Sequence, residues 1–124
     1  MLSDFDAATL SELKQYVARV LALDSWYTRE QFEEIEFIRL ADDLYALLDE
    51  MRVRDFIYDF DWMSWGKEAD KYIDKPELLE KADLNTLQRL MTAHSRNESL
   101  RDGHLAEMID NGHLRLLFHR MMAL

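Results

Sequence analysis

Residues 28–52 read TREQFEEIEFIRLADDLYALLDEMR, and the reading of this stretch decides the fold. Thr28 and Gln31 stand at capping-box spacing, where the two side chains can satisfy free amides at a helix start. Phe37, Leu40, Leu44, Leu47, Leu48 and Met51 then recur on one helical stripe, with Asp42, Asp43, Asp49 and Glu50 on the opposite side. Phe32, Ile35, Ile38 and Tyr45 lie off that stripe, so the element should have neighbours on more than one side. The spacing predicts one long central helix from Thr28 to Arg52.

Working outward, an earlier helix should run from about Asp6 to Leu23, with Leu10, Leu13, Val17, Val20 and Leu21 inward, until Asp24-Ser25 breaks the pattern. On the other side, residues 55–65 read DFIYDFDWMSW. Phe56, Tyr58, Phe60 and Trp62 alternate at period two, which suits an extended segment. From Trp62 the period becomes helical through Trp65, Ala69, Tyr72 and Ile73, with Asp59 or Asp61 available as a cap. Pro76 fits the first position of a short helix to about Lys81, and Asp83 can cap a helix from Leu84 to Ser95. Gly103-His104-Leu105 and Gly112-His113-Leu114 each open a further helical pattern, the last aligning Leu114, Leu117, Phe118 and Met121. The expected fold is all-α: a single compact domain over residues 1–124, of five to seven helices, with at most a vestigial strand near residues 55–60.

Composition agrees. A chain of 124 residues suits one core and can bury roughly two-thirds of the surface exposed when unfolded, without staples. With 48% apolar residues and only three Gly and one Pro, it is not a disordered chain. No run of 18 apolar residues suggests a membrane span. The start, MLSDFDAATL, lacks the basic flank and apolar stretch of a signal peptide, so a cytoplasmic location is expected.

The 25 acids against 15 bases leave a formal charge of −10, which disfavours direct binding to nucleic acid or to an anionic membrane. The charge is uneven: residues 1–50 are net −8, and residues 84–124 are net +1 with Arg as their only Lys/Arg-type base. All four histidines (His94, His104, His113 and His119) fall in the latter segment. A solvated acidic face explains the imbalance; an acidic patch that docks on a basic partner is the sharper reading.

The chain contains no nucleophile elbow, P-loop, dinucleotide fingerprint or His-Glu-x-x-His. Having no Cys, it cannot perform thiol chemistry or hold a metal by thiolate. Asp110-x-x-His113 has one-turn ligand spacing that His104 and His119 could complete, yet Gly112 interrupts it, and His94 on an apolar stripe reads as a hydrogen-bonded core residue. Glu30-x-x-Glu33 and Glu80-x-x-Asp83 read as solvated faces rather than a Mg²⁺ site, and Asp59-Phe60-Asp61 as a helix cap. No metal, cofactor or catalytic residue is therefore expected. The best ligand candidate is the stretch HSRNESLRDGH, residues 94–104, where Arg96 and Arg101, with His94 and His104, could grip a carboxylate or phosphate. The competing structural reading has the two Arg tie this connection to carboxylates of the acidic half. Tyr58, Phe60, Trp62 and Trp65 form the candidate aromatic anchor or interface, with Trp62 and Trp65 expected to pack inward.

Phe60-Asp61-Trp62 followed by Trp65, then Leu84, Thr86, Leu87, Leu90, Thr92, His94 and Arg96, then Arg101, Gly103, Leu105, Gly112 and Leu114, form an ordered pattern over roughly residues 56–121. The pattern resembles a family of small uncharacterised bacterial and phage helical proteins, a domain of unknown function. Leu100-Arg101 departs from the Arg-Phe pair that the family tends to carry before its glycine region. The resemblance implies one compact helical domain and draws attention to Arg96 and the Trp pair; it implies no activity.

The reading that best fits these features is a non-enzymatic acidic interaction module, binding another protein or a copy of itself. The seven Met and the terminal Met121-Met122-Ala123-Leu124 motivate it. The alternatives are an acidic inhibitor, such as a phage-encoded one, that blocks a basic nucleic-acid-binding protein, and a hydrolase or ligand-binding protein built on carboxylates or the Arg turn.

Overall fold

A computed structural model of the protein describes residues 6–124. The first five residues of MLSDFDAATL lie outside the described residues. Helix α1 (Ala7–Leu21) begins where Asp6 accepts the Thr9 amide at 2.8 Å, and it buries the expected stripe of Leu10, Leu13, Val17 and Val20.

The long helix expected from Thr28 to Arg52 does not form. Its first half is an antiparallel hairpin of β1 (Tyr27–Phe32) and β2 (Ile35–Leu40), and only its second half is helical, as α2 (Asp42–Val53). The Thr28–Gln31 capping box is therefore absent. Cross-strand pairing of Phe32 with Ile35 leaves Glu33-Glu34 as a two-residue turn, with Glu33 at φ 57°. Alternate residues separate onto two faces. Tyr27, Ile38 and Leu40 turn toward the helices and pack on the core, whereas Phe32, Ile35 and Phe37 lie on the exposed face. Apolar residues on both faces of the ribbon are what gave the segment its helical spacing.

Helix α2 ends in a left-handed residue, Asp55 at φ 61°, with the Phe56 amide on the Met51 carbonyl and the Asp55 amide on that of Arg52. This is the Schellman arrangement. The strand allowed near residues 55–60 is not there; the sheet lies at residues 27–40, and 55–65 runs through turns into α3 (Gly66–Asp74). A 3₁₀ helix, Pro76–Lys81, follows as Pro76 indicated.

Helix α4 (Leu84–Leu100) opens on Asp83, which accepts the Thr86 amide at 2.8 Å. It takes the central position assigned from sequence to residues 28–52, since Leu87, Gln88 and every residue from Leu90 to Ser95 are buried. Gly103 (φ 95°) and Gly112 (φ 81°) then start α5 (His104–Asp110) and α6 (His113–Ala123). Helix α1 packs on α2 and α6, α5 on α4 and α6, and the 3₁₀ helix on α3 and α6. The molecule is mostly α, with six α-helices, one 3₁₀ helix and one two-stranded sheet among the described residues.

Candidate functional site

Two features stand out: a hairpin that carries apolar groups into solvent, and a buried row of histidines. The hairpin is anchored at its base. Trp26, just before β1, is buried, stacks on Phe118 with ring centroids 5.5 Å apart, and lies under Arg115. The Tyr27 hydroxyl donates to Asp110 at 2.7 Å, which raises the phenol's pKa, and Ile38 lies over Gly103. Outward from there support is lost. Phe32 is 69% and Ile35 65% exposed at the tip, and Phe37 continues the patch on the same face. Glu30, Glu33 and Glu34 surround the patch, with Glu30 held by Arg39 at 2.5 Å. Between the hairpin and the corner joining α4 to α5 lies a cleft of about 490 Å³, lined by Arg29, Glu36, Tyr45, Glu98 and Asp102 among others.

The residues singled out from sequence take different places. Arg96 pairs with Asp59 at 2.7 Å and Arg101 with Glu107 at 3.0 Å, both at the surface. Neither reaches residues 1–50; the acidic half is met instead by Arg54, just past the end of α2, which pairs with Glu12 and Glu50. Helix α4 runs to Leu100, so Arg96 stands within it and Arg101 just past its end; neither lines the cleft, to which the same stretch contributes Glu98 and Asp102. Glu98 also closes the start of α5, its two oxygens accepting the Gly103 and Leu105 amides at 3.2 and 2.7 Å.

Tyr58, Phe60, Trp65 and Tyr72 form a ladder with centroid separations of 5.6, 5.9 and 6.5 Å. The Arg89 guanidinium lies over Phe60 and Trp65, so the ladder's cation is the chain's own. Trp62 and Trp65 are half-buried, and the deeply buried tryptophan is Trp26, which the sequence pattern did not single out. Asp61 caps the turn before α3, accepting from the Ser64 hydroxyl and amide, which lowers its pKa.

His94 sits in the core between the other two buried histidines. Its Nδ1 is 2.9 Å from His104 Nε2, and its Nε2 is 2.9 Å from His113 Nε2. Burial holds all three imidazoles low: His94 well below its ordinary range, His104 below it with Arg101 adding to the effect, and His113 to about 4. The two nitrogens of His94 point to different partners, so one ion cannot take all three rings as ligands. His119 and Asp110 stand apart from the row, His119 exposed beside Pro76 and Leu79 and Asp110 with Tyr27. Among the described residues no group of three His, Asp or Glu is arranged to hold a metal ion. The signal for the row was the repeated Gly-His-Leu, which puts His104 and His113 at the same position of successive helices.

A family model described as a family of unknown function (DUF6508) matches residues 7–124. The chain belongs to this family. The DUF6508 match takes in α1 and the hairpin, which the resemblance over residues 56–121 did not reach. Comparison with curated proteins and with solved structures finds no match. Among the described residues no helix is long and apolar enough to cross a membrane.

Proposed function

We propose that the protein is a non-catalytic interaction module whose docking element is the tip of the β1–β2 hairpin, and that its partner is a protein presenting an apolar slot with a basic rim. The observation that carries this reading is the exposure of Phe32 and Ile35, paired across the strands on one face and edged by Glu33 and Glu34 of the turn. Each side chain leaves most of its surface in water, and burying that remainder on a partner would contribute about 1–2 kcal/mol. The acidic edge supports a basic partner and disfavours a second copy, since every copy carries a charge of −10.

A benzophenone side chain placed at position 32 of the full chain tests this by photo-crosslinking in host extract. Val53, 76% exposed and outside the hairpin, provides the control position. A basic protein should be trapped from position 32 and not from position 53, and less of it as salt is raised. Phe32→Ser should then weaken binding to that purified partner at least tenfold. Equal trapping from both positions, trapping of the chain's own copies alone, or unchanged affinity of Phe32→Ser would overturn the proposal.

A further inference from the structure

We infer that His104, His94 and His113 form a one-directional hydrogen-bond relay that clamps α4, α5 and α6 together at neutral pH, and that one added proton breaks it, so that acid loosens the C-terminal helices. Each of the two nitrogen–nitrogen contacts, at 2.9 Å, has room for a single proton. A neutral imidazole has one N–H and one bare nitrogen, so the tautomers of the three rings must interlock.

The Arg101 end of the row sets its direction. At one end Arg101 Nη2 faces His104 Nδ1 at 3.5 Å, and a guanidinium only donates. His104 therefore carries its proton on Nε2 and donates to His94 Nδ1. His94 then carries its proton on Nε2 and donates to His113 Nε2, leaving the His113 proton on Nδ1. That nitrogen is buried and has no hydrogen-bond partner, so nothing at this end opposes the assignment.

A further proton has no acceptable place. On His104 it lands against Arg101, on His94 against the His104 N–H, and on His113 against the His94 N–H. The carboxylates nearest the row are already engaged, Glu98 by the Gly103 and Leu105 amides and Glu107 by Arg101. From α2, the charged group that reaches the buried face of α4 is Arg52, at Ser95. No free anion in this set stands ready to receive an imidazolium.

The sign follows from linkage. The folded chain holds these rings neutral below an ordinary imidazole pKa of about 6.5, where the unfolded chain binds protons. Stability is full above that value and falls as pH drops toward the folded values. The loss per pH unit approaches tenfold in the folding constant for each ring held neutral, and roughly a thousandfold for three.

Nitrogen-15 imidazole NMR of the full chain at pH 7.5 reads the tautomers directly, with the exposed His119 as solvent-facing reference. Protons on Nε2 of His94 and His104 and on Nδ1 of His113 are expected; any other tautomer, or an averaged mixture on one of the three rings, overturns the relay. Urea unfolding of the wild type between pH 6.5 and pH 5 should show the folding constant falling more than tenfold per unit, and His104→Gln should reduce that slope by about one proton. A wild-type slope below one proton, or an unchanged slope in His104→Gln, would remove the acid response.

Discussion

Tryptophan and arginine show how far residue type alone fails to specify environment. Trp26, Trp62 and Trp65 are equally apolar in sequence, yet only Trp26 is deeply buried, because it sits where the hairpin base closes over Phe118. Trp26→Ala should cost about 3–5 kcal/mol in urea unfolding, and Trp62→Ala clearly less, since a half-exposed ring leaves a smaller cavity. A Trp62→Ala loss equal to that of Trp26→Ala would return the anchoring role to the FDWxxW segment. The arginines differ in the same way. Arg96 and Arg101 have the composition of a binding turn, but each is taken up by a nearby carboxylate. His94 was legible as a bonded core residue, while its two partners were not.

At the level of elements, the helices with clear stripes and caps were readable: α1, the 3₁₀ helix after Pro76, α4 from its Asp83 cap, and α6. The hairpin was not, for a specific reason. A ribbon with apolar groups on both faces shows no period-two contrast, and Glu33-Glu34 contains none of the Gly or Asn that announces a tight turn. Glu33 at φ 57° bears a conformational cost that a glycine avoids, about 1 kcal/mol. Glu33→Gly should therefore tighten the hairpin, seen as slower hydrogen exchange at the cross-strand amides of β1 and β2. Faster exchange in that variant would mean that the Glu33 side chain itself holds the turn.

Across the whole molecule, the charge is disposed so that few bases answer the acidic first half. Arg54 between Glu12 and Glu50 is one such contact between α1 and α2. Self-repulsion at −10 should weaken folding at low ionic strength, because screening becomes effective only as the Debye length falls toward about 10 Å near 0.1 M salt. The melting temperature at pH 7.5, followed by circular dichroism, should rise from low to physiological salt. A fall would mean that ion pairs such as that of Arg54 outweigh the repulsion. By itself the sequence determined the fold class, the Asp61 and Asp83 caps and most helix stripes, since these depend on contacts within a few residues. Only the tertiary structure decided that residues 27–40 form a hairpin, that α4 is central, and that His94, His104 and His113 meet. Those outcomes depend on which faces are covered by distant parts of the chain, and local periodicity holds no record of that covering.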